Sequence, residues 1–353
     1  MAGRPKNRLR IRKLLSDFDQ IGRLEDAGMT VLVTGGAGYI GSHTTYALLD
    51  SGEQVVVLDN LSTGRRSQVS ENVAFVQGDV ADQSLVRRIV AEHAVDAVIH
   101  FAGSIVVPES VAEPLRYYEN NVVATRALIE ACVDSGVKQF IFSSTATVFA
   151  EDARQPLSED ERKAPISPYA KSKLMTEWML EDASRAYDFR YAVLRYFNVC
   201  GADPLGRAGQ ISPVPTHLIK RALLVALDRL PVLDIFGTDY PTPDGTGVRD
   251  YIHVSDLAAA HLLALQALRD GALSTSYNCG YGRGLSVREI VAAVEKVVGR
   301  RLPVREAPRR AGDPPTLIAD PTRIKSALGW LPRHDDIGEI VSSALEWERR
   351  ANA

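Results

Sequence analysis

Cysteine is scarce: Cys132, Cys200 and Cys279 are the only three in 353 residues, with no CxxC pair and no Cys/His ligand spacing. Neither a disulfide framework nor a metal centre is indicated, and a reducing, cytoplasmic setting is expected. Long hydrophobic runs are also missing. The longest, AVIHFAGSIVV from Ala97 to Val107, falls far short of the ~20 residues that span a bilayer, so no membrane partner is expected. Nor does one charge dominate: 41 basic and 44 acidic residues leave a formal charge of -3, which offers no footprint for nucleic acid. Any anionic ligand must be held by local groups.

Residues 1–28 differ from the rest. Arg4, Lys6, Arg8, Arg10, Arg12 and Lys13 precede the first acid, Asp17, and no apolar segment of a secretory signal follows. The expectation is a disordered basic extension, or a start placed upstream of Met29, where periodic sequence begins.

From Met29 onward, short β-branched runs alternate with helix-length amphipathic segments, the pattern of a parallel sheet covered by helices on both faces. Strands are predicted at TVLVTG, QVVVLD, VAFVQGD, DAVIHFAG, KQFIFSS and YAVLRYF, with helices beginning near Ile40, Gln83, Leu115 and Pro168. After Asn198 the texture changes to Gly-, Pro- and Asp-rich loops such as FGTDYPTPDGTGVRDY. The chain is therefore divided into a doubly wound α/β domain over 29–198 and a smaller α/β substrate-binding domain over 199–348, with later segments such as RDYIHVSDLAAAHLLAL able to return to the first sheet.

VLVTGGAGYIGSH puts Gly35, Gly38 and Gly41 straight after a strand and at the start of a helix. Glycines there permit a tight turn and let backbone N–H groups approach a pyrophosphate at the helix N-terminus. Tyr39 and Ile40 lie inside the same loop. Asp59 ends the next strand, 18 residues beyond Gly41, where a carboxylate accepts from adenosine ribose hydroxyls and repels a 2′-phosphate. The pattern is that of a Rossmann-type domain preferring NAD over NADP. Asp79 and Val80, at the end of the third strand, are placed to read an adenine edge.

In ISPYAKSK, Tyr169 and Lys173 are four apart and share a helix face, while Lys171 points elsewhere. A unit charge ~4 Å away at an effective dielectric of ~20 is worth ~4 kcal/mol, so Lys173 together with a positive nicotinamide is expected to bring Tyr169 close to neutral pH, the range of a general base. The fifth strand ends in Ser143, Ser144 and Thr145, so a hydroxyl donor and a phenolic base can meet at one sheet edge.

TGGAGYIGSH, VLDN, FSSTATV, SPYAKSK, LRYFN and DGTGVRDYIHV together resemble the extended short-chain dehydrogenase/reductase superfamily, and within it the UDP-glucose 4-epimerases, from Met29 to about residue 345. The resemblance implies transient oxidation of a UDP-hexose to a 4-keto sugar and re-reduction on the opposite face. It makes Tyr169 the base, Lys173 the nicotinamide ribose ligand and Thr145 the partner of sugar O4. Phe101, Ala102, Gly103, Asn120, Tyr196 and Phe197 then line the cofactor site, with Asn60, Asp79 and Val80 at the adenosine. Arg249 and Arg310 match the diphosphate arginines, Asp313 the uridine ribose partner, and Asn198, His217, Leu218 and Phe236 the remaining wall. It also implies a homodimer.

Two departures stand out. Ile105 occupies the place of a lysine found in many relatives near the cofactor phosphates, and Leu317 the place of a variable gate residue. The alternatives are a UDP-N-acetylhexosamine, UDP-pentose or UDP-glucuronate epimerase, and a non-catalytic NAD-binding regulator. A dehydratase would carry an Asp-Glu pair where Ala146 and Thr147 stand.

Overall fold

The protein is described from a computed structural model over residues 29–211, 216–310 and 313–351; the reading of residues 1–28 lies outside them. Six β-branched runs form β1 (Thr30–Thr34), β2 (Gln54–Asp59), β3 (Ala74–Gln77), β4 (Val95–His100), β5 (Gln139–Thr145) and β6 (Arg190–Tyr196). They belong to one parallel sheet of order β3-β2-β1-β4-β5-β6, extended beyond β6 by β10 (Thr275–Cys279). Strand order reverses between β1 and β4, which opens a crevice at their C-terminal ends.

Side chains alternate across the sheet with period two. Val31, Val33, Val57 and Ile99 enter one core layer, and Leu32, Val56, Leu58 and Val98 the other. The covering helices include α1 (Tyr39–Asp50), α2 (Gln83–His93), α3 (Ala124–Asp134) and α4 (Pro168–Ala186). The helix expected near Leu115 is broken. Val107–Ala112 and Pro114–Tyr118 each carry a proline in the first turn, Pro108 and Pro114, and one π turn, Glu119–Val123, leads into α3.

The rest of the chain builds β7 (Asn198–Cys200), α5 (Leu218–Ala226), β8 (Leu233–Phe236), β9 (Val248–His253), α6 (Val254–Arg269), β11 (Gly284–Ser286), α7 (Val287–Val298), β12 (Val304–Ala307), β13 (Thr316–Leu317) and α8 (Ile337–Arg350). Strand β9 pairs with β7, β11 and β13, and β8 pairs with β12. A separate core of Ile219, Leu223, Ile290, Val294, Val341 and Leu345 joins α5, α7 and α8. Helix α6 returns to the first sheet, where Leu257, Ala260 and Leu265 pack with Val31 and Ile141. Among the described residues, no helix is long and apolar enough to cross a membrane.

Candidate active site

The crevice is stripped of side chains where β1 ends. Gly35 has φ +71, and a Cβ there would lie 2.6 Å from Ala102 N; one on Gly41 would lie 2.3 Å from Gly35 O. Gly38 caps α1 without a side chain, and the first turn carries no acid, so the helix N–H groups stay open to an anion. Asp59, 8% exposed, accepts from Ala37 N at 2.9 Å and from Leu61 N at 2.8 Å. A carboxylate has about four acceptor positions, so capacity remains for ribose hydroxyls. Asn60 donates to the exposed Asp79 at 3.0 Å beside buried Val80, and the Tyr39 hydroxyl donates to Gly201 O at 2.6 Å. Ile40 packs partly buried against the sheet. A bare loop, an uncapped helix and a buried neighbouring acid fit a dinucleotide.

At the end of β4, Phe101 N donates to Thr34 O at 2.9 Å, leading into Ala102 and Gly103. Asn120 donates to Ser104 Oγ at 2.8 Å. The buried partner of this turn is Asn121, which sequence reasoning missed. It accepts from Ser104 N at 2.8 Å and donates to Ser104 O at 2.9 Å and Ser172 Oγ at 3.0 Å, tying the turn to α4.

Helix α4 begins where SPY predicts. The Ser167 hydroxyl accepts from Ala170 N at 3.2 Å and Pro168 occupies the first turn. Lys173 is 3% exposed; its ammonium donates to Ser143 O at 2.9 Å and lies 4.9 Å from the Phe142 ring centroid. Burial lowers its pKa from 10.5 to about 8. Tyr169, part of whose surface remains open, is pushed up to about 12 by desolvation, while a hydrogen bond with Thr145 acts in the opposite direction. The lowering toward neutrality is expected from Lys173 and a positive nicotinamide acting together; without the cofactor the phenol stands high. Burial dominates the phenol, and the ammonium is directed at Ser143 O. Lys171 is exposed, as its helix face requires.

Thr145 is buried, and its hydroxyl oxygen accepts from Thr147 N at 3.2 Å. Tyr196 ends β6 and Phe197 follows it, both buried. Phe197 belongs to a small apolar cluster with Ala146, Val148 and Phe149, against which Leu317 packs. Leu317 and Thr145 thus border the same cluster from opposite halves of the chain.

On the far side, Asn198, His217 and Leu218 line one pocket with Gln210, Tyr251 and Trp347. His217 is hydrogen-bonded to the Gln210 side chain, and burial lowers its pKa. Arg249, in register with Leu317, donates to Val248 O at 2.9 Å and Pro315 O at 3.4 Å. The Arg310 guanidinium carbon lies 3.8 Å from the Phe236 ring centroid; desolvation lowers its pKa and the charge of Asp313 opposes that. Ile105 is exposed.

A model of the NAD dependent epimerase/dehydratase family matches residues 31–280. A UDP-glucose 4-epimerase of Azospirillum brasilense is 56% identical over 323 residues, covering 92% of this chain and 93% of the relative. The crystal structure of UDP-glucose 4-epimerase from Brucella ovis in complex with NAD aligns with a TM-score of 0.87 and 46% identity, over 90% of this chain and 98% of that one. That from Bifidobacterium longum in complex with NAD+ and UDP aligns with a TM-score of 0.88 and 38% identity, over 92% and 99%. Glycine loop, strand-end acid and the Tyr-Lys helix are thus carried on a framework shared along nearly the whole chain, which belongs to the NAD dependent epimerase/dehydratase family, among the UDP-glucose 4-epimerases.

Proposed function

We infer that the protein inverts C4 of a UDP-hexose, interconverting UDP-galactose and UDP-glucose without net consumption of NAD. One observation carries the reading: Thr145, Tyr169 and the buried Lys173 converge at the C-terminal end of β5, with Lys173 Nζ facing Gly103, whose neighbour Ala102 packs on Gly35 of the glycine loop. Bound NAD supplies the site that takes a hydride from C4 and gives it back. Thr145 orients the sugar O4. Tyr169 takes the O4 proton as C4 loses its hydride, leaving a 4-keto sugar. After the sugar turns about its link to the diphosphate, Tyr169 returns the proton and C4 is inverted.

For this to occur near neutral pH, Tyr169 must fall from about 12. Lys173 would hold the nicotinamide ribose, and the positive charge of the bound ring would add to its own in lowering Tyr169. Gly35, Gly38, Tyr39, Ile40 and Gly41 serve the pyrophosphate; Asp59, Asn60, Asp79 and Val80 serve the adenosine; Phe101, Ala102, Gly103, Asn120, Tyr196 and Phe197 complete the cofactor wall. Arg249 and Arg310 neutralise the substrate diphosphate, Asp313 binds the uridine ribose, and Asn198, His217, Leu218, Phe236 and Leu317 enclose the nucleotide sugar. In this reading residues 29–198 form the cofactor half and 199–348 the sugar-nucleotide half.

Three free buried cysteines are in keeping with a cytoplasmic setting, and the substrate pair places the activity in galactose metabolism. Exposed Val111, Leu115 and Trp178, on helices that pack together, support a homodimer through this face. Mixing the purified protein with UDP-galactose, without added reductant, and following anomeric protons by NMR tests the activity. Failure to reach equilibrium overturns it.

A further inference from the structure

Helix α6 carries His261, fully buried and used in no step above. Its Nδ1 lies 2.8 Å from Leu257 O; a carbonyl only accepts, so Nδ1 carries the proton. Burial keeps the ring neutral, with a pKa of about 4, so Nε2 presents a lone pair. The Tyr196 hydroxyl is 2.5 Å from that nitrogen and must donate to it. With its only proton committed, the Tyr196 oxygen can only accept; Ser143 stands on the neighbouring strand, two residues before Thr145, the register partner of Tyr196, and so on the same face, where its side chain hydrogen-bonds the phenol. The Ser143 carbonyl in turn accepts from Lys173 Nζ at 2.9 Å. Phe101, at the end of β4, lies against the other side of the imidazole, ring centroids 4.9 Å apart.

We propose that His261 is a positioning residue for the reaction: it fixes the direction of the chain His261–Tyr196–Ser143 and thereby the strand end that aims Lys173. The proposal rests on the roles given above to Tyr169 and Lys173. A single backbone carbonyl, that of Leu257, sets the tautomer, and the polarity of the Tyr196 and Ser143 side-chain bonds follows. Replacing the imidazole by an apolar ring would leave the buried Tyr196 proton without an acceptor. The phenol would then turn its proton on Ser143 and disturb the segment that holds the ammonium.

Two measurements on the full-length holoenzyme test this. Side-chain nitrogen NMR of the wild type is expected to show a neutral Nδ1–H tautomer across the physiological pH range; an Nε2–H tautomer or a charged ring overturns the proposal whatever the enzyme's activity. In the epimerase assay, His261→Phe is expected to lower kcat roughly tenfold and displace its pH profile, with KM for UDP-galactose and bound NAD little changed. His261→Gln, whose amide oxygen can accept the Tyr196 proton, is expected to restore most of the rate and the profile. In a Tyr196→Phe background, His261→Phe should cost nothing further. Additive losses, or a His261→Phe enzyme with wild-type kcat and pH profile, overturn the proposal. If His261→Phe fails to fold, the glutamine variant decides: an altered pH profile there overturns it. An inactive wild type would instead sink the epimerase reading and leave the tautomer measurement standing.

Discussion

At the ends of β1, β2 and β5 the polar groups are buried and already bonded, whereas across the cleft the two arginines rest on neighbouring protein. Asp59 is held by two backbone N–H groups and Lys173 by Ser143 O. Arg249 donates to Val248 O and Pro315 O, and Arg310 covers the Phe236 ring. The first side needs no rearrangement to receive its ligand. On the second, Arg249 is engaged through Nη1 and Arg310 through the face of its guanidinium, so in the proposed reading each must turn from these contacts or add to them to reach a diphosphate. In that reading one cleft joins a side suited to a ligand that stays with a side suited to one that leaves every turnover.

The largest test of this division is Tyr169→Phe. It should lower kcat by about 10² to 10⁴-fold while bound NAD in the purified protein is unchanged, measured by the NMR assay and by cofactor extraction. Near-wild-type turnover would show that another group takes the proton. Gly35→Ala should act on the opposite ligand. At φ +71, with Ala102 N 2.6 Å from the new Cβ, it should cost about 2–5 kcal/mol and yield protein depleted of NAD. Gly52, at φ +91 with nothing within 4 Å, is the control: Gly52→Ala carries backbone strain alone and should retain NAD.

Lys173 gives a pH signature. Burial lowers its pKa from 10.5 to about 8, so between those values the unfolded chain holds a proton that the folded one has released. Its contribution to the unfolding free energy therefore rises with pH across that window, by on the order of 3 kcal/mol. Urea unfolding of NAD-free wild type and Lys173→Met over this range should show the wild type gaining on the variant. Parallel curves would mean that the ammonium is not desolvated. The smallest effect belongs to the substrate side: Arg249→Met should raise KM for UDP-galactose roughly ten- to hundredfold, leaving NAD content alone. Loss of cofactor in that variant would break the division between the two sides.

Legibility in the sequence follows the same line. Strand β2 coincides with QVVVLD and α4 starts at Pro168 because strand period, glycine spacing and caps are local signals. The break before α3 was also written locally, in Pro108 and Pro114. Strand β10 was not legible: TSYNC is short and polar, and only its pairing with β6 makes it a strand. Depth was equally hidden. Tyr169 and Lys173 were found by spacing, but their pKa order depends on burial. Asn121 could not be told from Asn120, since its partners Ser104 and Ser172 lie 17 and 51 residues away. Tyr196 and His261 are 65 apart, joined only by the return of α6.

That return bears on how such a protein can be made and divided. When a growing chain has passed β6 but not yet reached Thr275, residues Arg190–Tyr196 form an open sheet edge with unpaired N–H and C=O groups, a template for misassociation. Strand β6 gains its second partner only after β7, β8 and β9 have been laid down. A gene fragment cut at the apparent boundary near Asn198 would therefore express an unfinished cofactor half, and neither half can be exchanged as a self-contained module.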